Sequence, residues 1–449
     1  MAVVCTGFVA TAHMIAKMYG LQTIRILEYP PPNISTQKPE EVRKHAVSLL
    51  DALIGLLTKA SYLPENAARP TVTEVNPREC VFRGTLKEIN EFFYRRQWTD
   101  GLPIVPPTLD AVDEMLKYTE RSPSEVLGLL KPAHRQASVW SLAVNGVMAG
   151  CRPEYMPVLV SLIEAIVEPR FGLHHAGSTS GWTPFIILNG PIIKDLGFNA
   201  GQGVLRPERM ANITVARFLK LVMSNIAGFR LGTTDMSSFG NNYIPVLAEA
   251  EDDSPFEPLS VEQGFNKGSN VVTILSADSL SMQFGSAGDA EEHLQTLAKE
   301  MTRYLSSGYI VITTFFGPEV LPVLCLSPLV ASILAKASYT KNDIKKYIYD
   351  NARIPAIIFE RELKNGIKTG YTIHQAIEEG KLPPSYCETD DPNRMLPLLR
   401  SPEQLMIVVS GPTARNRNFI VLQVGNQGLT VSKEIKLPTN WKQLREKVR

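Results

Sequence analysis

The sequence predicts an α/β fold in two parts: an incomplete parallel β-α-β-α unit at the N-terminus and a larger mixed α/β (α+β) region after it. Short apolar runs that suit buried strands alternate with segments whose apolar residues recur at helical spacing. Hydrophobic residues make up 44% and charged residues 20% of the 449 residues, which is ordinary for a globular protein. Such a chain is long enough for two or three domains of about 100–200 residues each.

The N-terminal unit consists of two predicted strands and two predicted helices. The strands are expected at 2–5 and 23–29, and the helices at 8–18 and 39–56. Parallel sheets are normally covered on both faces and have more than two strands. We therefore expect residues 1–62 to be unable to fold alone and to lie against the rest of the chain or a second protein, so that a homo- or hetero-oligomer is expected.

Residues 63–80 contain proline and asparagine and are predicted to form a linker, which leaves 81–449 as the large region, with a β-rich part from about 400. Thr85 and Glu88 form a capping-box pattern that opens a helix to about Arg95. The other predicted helices are at 109–118, 134–149, 154–167, 208–226, 328–336 and 340–352. The predicted strands are at 185–188, 243–248, 271–275, 309–314, 320–326, 406–410, 419–424 and 429–437. No internal repeat is evident in the sequence.

Charge and composition argue against two classes of partner. The formal net charge is +1, from 46 basic and 45 acidic residues, and no basic stripe indicates a nucleic acid as partner. No stretch of about 18 apolar residues is free of charge, so no membrane-spanning helix is expected. The apolar start of the chain has no basic residue ahead of it and is interrupted by His13 and Lys17, so a secretory signal is not expected.

The cysteines indicate a reducing, cytoplasmic environment. They are five in number, far apart, and include no C-x-x-C pair: Cys5, Cys80, Cys151, Cys325 and Cys387. This pattern argues against a disulfide framework and against a cysteine-only zinc site.

Cys151 is the first candidate for chemistry. It lies about where a helix begins, in the stretch Gly150-Cys151-Arg152-Pro153. A helix N-terminus and an adjacent arginine both favour the thiolate, which is the reactive form of cysteine. The alternative is a small buried thiol at a tight turn between two helices.

A loop rich in small and hydroxyl side chains, residues 171–183, carries the adjacent pair His174 and His175 ahead of a predicted buried strand. Polar loops of this kind often bind ligands, and a histidine in one can carry a proton or bind a metal. Neighbouring side chains in an extended segment point opposite ways, so only one histidine is expected to serve. The alternative is a loop whose polar groups satisfy its own backbone.

Two further loops have the composition of anion-binding segments. The glycine-rich residues 197–203 precede Arg206 and a predicted helix, and the amides of such a loop can hold an anion. This loop matches neither the P-loop nor the dinucleotide fingerprint, and a plain turn is the alternative. In residues 411–418, Arg415 and Arg417 are placed to clamp a carboxylate or phosphate, with a solvated hairpin tip as the alternative.

An acidic run follows the predicted strand at 243–248. It consists of Glu249, Glu251, Asp252 and Asp253. Carboxylate oxygens can bind a divalent cation, but a charged surface loop is the simpler explanation of the run, and no metal site is predicted.

Two regions together resemble a known family. The stretch ending in Tyr29-Pro30-Pro31, with the following helix that carries Glu40, Glu41 and Arg43, resembles the C-terminal half of the domain of the UGSC (seleno)proteins, named for a Sec/Cys-Gly-Ser-Cys motif. Other segments resemble a large domain found alongside or fused to that domain. These are Asp-Gly-Leu-Pro-Ile-Val-Pro-Pro-Thr at 100–108, the stretch 144–155, Asn-Gly-Pro at 189–191, Asn212 and the stretch 257–265. The resemblance runs over most of the chain.

The resemblance implies an enzyme of small-molecule metabolism with thiol-dependent or redox chemistry. The motif that names the family would lie just upstream of residue 1, and no Cys/Sec-Gly-Ser-Cys occurs in the chain. We therefore expect a partner that supplies the missing half; a start further upstream, or a protein that no longer needs the motif, are the other interpretations. The alternative function is a non-catalytic partner or scaffold subunit that completes such a domain in trans. The family pattern also has a more regular glycine-rich segment near Gly411, where this chain carries Arg415 and Arg417.

The expected site lies among the loop at Asp100, Cys151, the His174 loop and the turn at Asn189, because open α/β folds place ligands in polar loops at strand ends. Asp100, Cys151 and His174 are the predicted catalytic residues. The predicted substrate-binding residues are Arg152, Ser178, Thr179, Asn189, Asn212 and Arg415. The expected partner in this site is a small-molecule substrate, and the sequence indicates no particular cofactor.

Overall fold

The computed structural model confirms the predicted mixed α/β class. The described residues are 1–18, 21, 24–31, 34, 37–58, 76–177, 179, 181–240, 243–307, 310–311, 314–315, 321–365, 372–423 and 428–446. Most of the predicted linker at 63–80 lies outside them. Within them, no helix is long and apolar enough to cross a membrane.

Sixteen α-helices lie within the described residues. They span Val9–Met18, Pro39–Ser48, Leu50–Thr58, Leu86–Arg95, Leu109–Leu116, Val139–Ala149, Met156–Ile166, Ile192–Leu196, Met210–Val222, Leu259–Glu262, Ala290–Leu305, Pro328–Lys336, Lys341–Asn351, Ala356–Asn365, Ile373–Glu378 and Trp441–Glu446. The predicted capping box is confirmed, since the Thr85 hydroxyl and the Glu88 carboxylate each accept a hydrogen bond from the other residue's backbone N–H.

The strands are numbered along the chain. They are β1 Ala2–Cys5, β2 Ile26–Tyr29, β3 Val126–Leu130, β4 Arg135–Ser138, β5 Thr183–Asn189, β6 Val246–Ala248, β7 Val271–Leu280, β8 Phe284–Gly285, β9 Val323–Leu326, β10 Arg353–Pro355, β11 Met395–Pro397, β12 Met406–Val409, β13 Arg417–Gln423 and β14 Val431–Glu434. Two small antiparallel pairs lie outside the main sheet: the hairpin β3–β4, and β10–β11, whose strands are joined through helices.

The N-terminal unit has the predicted β-α-β-α order. β1 and β2 pair in parallel, with Ala2 opposite Ile26 and Cys5 opposite Tyr29, and no third described strand joins them. The helices Pro39–Ser48 and Leu50–Thr58 follow. Large apolar side chains of this unit are exposed, among them Val3, Val47, Leu50, Ile54 and Leu57.

The main sheet repeats one arrangement of strands. Its order is β12-β9-β13-β7-β5-β6. One half consists of β5, β6 and β7, and the other of β9, β12 and β13. In the first half β5 is parallel to β6 and antiparallel to β7. In the second half β9 is parallel to β12 and antiparallel to β13. β7 and β13 pair in the middle, while β8 extends along the start of β13 and β14 along the start of β7. The two halves therefore share one topology, which the sequence does not reveal.

The sheet curls until its two edge strands meet. Just beyond β6, the Ala250 N–H donates to the Val409 carbonyl of β12 at 2.8 Å, and the Ser410 hydroxyl donates to the Ala248 carbonyl of β6 at 2.8 Å. Alternate side chains point inward and form one apolar cluster, in accord with the two-residue period of strands. Its members include Phe185, Ile187, Leu247, Leu275, Ala277, Val323, Cys325, Met406, Val408 and Val421. The other face packs against two layers of helices, one for each half.

Two predicted elements are wrong. The described part of the predicted strand at 309–314 is helical, at 310–311 and 314. The predicted helix at 134–149 begins only at Val139, because Arg135–Ser138 is strand β4, paired with β3. Pairing with β3 decided the structure of 135–138, and a local apolar pattern carries no information about such pairing. A short apolar run such as 309–314 fits a buried helix as well as a strand.

Candidate functional site

Loops from both halves meet at one end of the main sheet. Because β13 runs antiparallel to β9, and β9 is parallel to β12, the carboxyl ends of β9 and β12 lie beside the start of β13. The end of β7 and the start of β5 reach the same end of the sheet, since β7 is antiparallel to both β13 and β5. Parallel strands commonly bind ligands at their carboxyl ends.

A cleft of about 540 Å³ opens at this end, which we call the basic cleft. Three exposed arginines line it: Arg206, Arg415 and Arg417. None of the three pairs with a carboxylate among the described residues. The two loops that the sequence marked separately as anion-binding candidates thus form walls of one cleft.

Backbone contacts join the two loops. The Gly411 N–H donates to the Ala200 carbonyl at 2.9 Å, and the Ser410 hydroxyl lies 3.3 Å from the same carbonyl. Gly411 has a φ of 100° and Gly203 a φ of 67°, a left-handed backbone that glycine adopts without strain. The glycines therefore allow the tight turns that bring the arginines together.

Buried hydrogen bonds anchor the strand that carries Arg417. Asn418, fully buried, donates from its amide nitrogen to the Ser286 hydroxyl at 3.1 Å and accepts from the Ser327 N–H at 3.4 Å. The Ser286 hydroxyl also lies 2.6 Å from Nδ1 of His293, and burial lowers the pKa of that histidine. This network holds β13 to β8 and to the end of β9, which makes the cleft wall rigid.

A second cleft, of about 420 Å³, lies next to the basic cleft, and Tyr243 lines both. Its walls include Trp182 and Phe229, whose stacked ring centroids are 6.2 Å apart. Asp100 lines this aromatic cleft, but its carboxylate is bound by the Arg217 guanidinium in a two-point ion pair of 3.0 and 2.9 Å. Asp100 thus fixes the 100–108 loop against the helix Met210–Val222.

Cys151 is buried and lines neither cleft. Its thiol donates to the Thr214 carbonyl at 3.3 Å, and burial raises its pKa to about 12. The expectation that the helix start and Arg152 favour the thiolate is therefore wrong: loss of solvation outweighs the hydrogen bond and the more distant Arg217. Arg152 instead pairs with Glu154 at 2.6 Å.

The histidine loop also differs from the prediction. Leu173–His175 form a 3₁₀ turn rather than an extended segment, so the rings of His174 and His175 lie side by side, tilted at 45° with centroids 3.9 Å apart, instead of pointing apart. Both histidines are exposed, and neither lines the cleft that contains Asp100. Burial lowers the pKa of His174, with a smaller effect from His175. Thr179 is exposed, and Ser178 lies outside the described residues.

Asn189 and Asn212 are buried and bind protein groups. Asn189 donates to Glu249 at 2.6 Å and to Glu251 at 3.0 Å. Asn212 accepts from the Asn199 N–H at 2.8 Å and donates to the Val246 carbonyl at 3.0 Å. Both asparagines hold loops to strands and lie outside the lining of the two clefts.

Glu249 contributes to closure of the sheet. Its fully buried carboxylate accepts hydrogen bonds from Asn189 at 2.6 Å, from the Leu259 N–H at 2.9 Å and from the Val409 N–H at 3.3 Å, with the Lys341 ammonium 4.0 Å away. Burial raises the pKa of Glu249, and Lys341 and the three donors oppose that shift. Neither interpretation of the acidic run, a cation site or a surface loop, describes this residue.

Among the described residues, no group of three or more histidine, cysteine or acidic side chains is arranged to hold a metal ion. Comparison of the chain with known protein families, with curated proteins and with solved structures finds no match.

The structure thus brings together Arg206, Arg415 and Arg417 in one cleft. It does not bring Asp100, Cys151 and His174 into one cleft, because Asp100 lines the aromatic cleft and the other two line neither cleft. Sequence reasoning missed Cys325 and Tyr243 as cleft residues. Cys325 lies in a continuous apolar strand, where it has the pattern of an ordinary core residue, so no local signal marks it.

Proposed function

We propose that this protein is an enzyme of small-molecule metabolism whose substrate binds in the basic cleft. The observation that carries the proposal is the convergence of the loops 197–206 and 411–418 on one concave site at the carboxyl ends of β9 and β12. Its volume of about 540 Å³ is within the range of small-molecule sites. Apolar walls with a few convergent polar groups are typical of such sites.

The thiol-dependent or redox character of the reaction rests on the resemblance to the UGSC proteins. Cys325, rather than Cys151, lines the basic cleft. Burial raises the pKa of the Cys325 thiol, so we assign no thiolate role to either cysteine at neutral pH.

Metabolite profiling tests this function. The purified protein is incubated with a cell-derived metabolite extract, and mass spectrometry follows which compounds are consumed and formed. We expect wild type to convert at least one metabolite and the Arg415→Ala/Arg417→Ala variant to convert it at least tenfold more slowly. Arg361→Ala, a surface arginine paired with Glu362, is the matched control and should behave as wild type. An unchanged extract, or equal conversion by both variants, would contradict the proposal.

A second candidate function is a partner subunit that completes a UGSC-type domain in trans. The two-stranded sheet β1–β2 and the exposed apolar residues of its helices favour it. If these residues are an interface, Val47→Glu/Leu57→Glu should convert the native assembly into a smaller species in sedimentation velocity. Lys44→Glu, on the same helix as Val47, is the control. A wild-type protein that sediments as a single chain would exclude a homo-oligomer through this face.

A further inference from the structure

The basic cleft has an unbalanced positive charge. No aspartate or glutamate is among its lining residues, whereas Arg206, Arg415 and Arg417 all reach it. Three guanidinium groups around one cleft repel one another, and water and salt screen that repulsion only in part. A bound anion removes it, so the empty cleft favours an anionic ligand over a neutral one.

Three of the neutral polar side chains of the cleft are already engaged. The Ser410 hydroxyl donates to the Ala248 carbonyl, and the Ser281 hydroxyl donates to the Met282 carbonyl and accepts from the Ile420 N–H. Asn418 is bound to Ser286 and Ser327. The side-chain donors open to a ligand are the neutral groups of Gln202, Gln283 and Tyr243 and the charged groups of the three arginines. Only the arginines are charged, and their planar fork matches the paired oxygens of phosphate and carboxylate groups.

The inner wall of the cleft is apolar. The side chains that line it are Leu280, Phe419, Val204 and Cys325. Val204 and Cys325 belong to the inward-facing cluster of the sheet, and Leu280 and Phe419 pack against it. A ligand bound here has its charged end against the arginines at the rim and its uncharged body toward this wall.

From this arrangement we infer that the substrate is a small molecule that carries a doubly charged oxyanion, such as a phosphate monoester, on a short uncharged body. Three arginines with no acidic neighbour neutralise two negative charges more completely than one. This inference rests on the proposed function, because it assumes that the basic cleft is the substrate site.

A series of ligands with similar branched alkyl bodies and different charges tests the inference by calorimetry at low salt. The probes are isobutyl phosphate, isovalerate and isobutyramide, with inorganic phosphate and succinate added to separate phosphate from dicarboxylate recognition. We expect isobutyl phosphate to bind at least tenfold more tightly than isovalerate, and isobutyramide most weakly. Tighter binding of succinate than of either phosphate would identify a dicarboxylate as the doubly charged group.

Variants locate the binding. Arg415→Ala and Arg417→Ala should each weaken the binding of isobutyl phosphate by about tenfold or more, since each variant loses a charge-assisted hydrogen bond to the phosphate. Arg361→Ala should have no effect, and melting temperatures check that all variants fold. Equal affinity across the charge series, or affinity that survives both arginine variants, would overturn the inference. Tight binding of isobutyramide in this cleft would overturn the inference about the anion and leave the proposed function standing. Conversion of a metabolite at the same rate by wild type and the arginine variants would count against both the inference and the proposed function.

Discussion

Cys151 shows how burial decides the chemistry of a residue. Its helix-start position favours the thiolate, but the thiol is buried and its pKa is raised to about 12. On the order of one molecule in 10⁵ then carries the thiolate at pH 7. The thiol should become reactive only as the pH rises toward that pKa or as the protein unfolds.

Cysteine alkylation followed by mass spectrometry checks this. With iodoacetamide at pH 7, we expect the exposed Cys80 to react first and the buried Cys151 and Cys325 to react only after a denaturant is added. The fully denatured protein, in which all cysteines are accessible, is the control. Labelling of native Cys151 as fast as Cys80 would contradict the raised pKa.

Glu249 is expected to matter for stability rather than for catalysis. Glutamine in its place keeps one acceptor oxygen but turns an amide N–H₂ group toward a backbone or side-chain donor, which leaves a buried donor unsatisfied. Glu249→Gln should lower the free energy of unfolding by about 1–3 kcal/mol in urea titrations. Glu257→Gln, which removes only a surface pair with Lys267, should change it by less than about 0.5 kcal/mol. Equal midpoints for the two variants would show that Glu249 does not contribute to closure of the sheet.

For single residues, the type of side chain did not predict whether the residue lines a cleft, because that depends on its position in the fold. Asn189, Asn212 and Asp100 have the side chains of ligand-binding residues, yet each binds groups of the protein itself. Arg415 was predicted and lines the basic cleft, because a charged residue in a loop between two strands has few protein partners. Burial depends on contacts between distant segments, so the local sequence does not show which polar side chains are buried.

The N-terminal unit is the element whose structure follows most directly from its sequence. β1 and β2 are separated by the helix Val9–Met18, pair in parallel as predicted, and stand apart from the main sheet among the described residues. The apolar runs and the proline stop after Tyr29 were sufficient to predict these elements. Helix Pro328–Lys336 was likewise predicted at its observed bounds, because a proline at its first position and a continuous apolar pattern mark it.

Residues 1–62 expressed alone should remain unfolded. Two strands bury too little apolar surface to offset a backbone entropy cost of roughly 1–2 kcal/mol per residue, and Val47, Leu50 and Leu57 are exposed even in the whole chain. Amide exchange of this fragment should be fast throughout. The same segment within the full-length protein is the control. A protected, cooperatively unfolding monomeric fragment would show that the unit is self-sufficient.

At the scale of the whole molecule, the main sheet is built from two halves of one topology, and the sequence did not predict this. The halves share their strand order but little of their sequence. The clearest sequence feature in common is a pair of prolines at the first strand of each half: Pro184 and Pro191 at β5, and Pro322 and Pro328 at β9. The order of strands in a sheet is set by long-range pairing, so a single sequence gives little information about it. The basic cleft is a product of that order, since loops 197–206 and 411–418 are about two hundred residues apart in the chain.

The central claim is that the arginines of the basic cleft bind the anionic group of the substrate. A crystal structure of the full chain with tungstate, a heavy analogue of phosphate, tests it most directly, since anomalous scattering locates the metal atom without ambiguity. We predict a single dominant site with tungstate oxygens about 3 Å from guanidinium nitrogens of at least two of Arg206, Arg415 and Arg417. An occupied site elsewhere, with the basic cleft free of tungstate, would contradict the account.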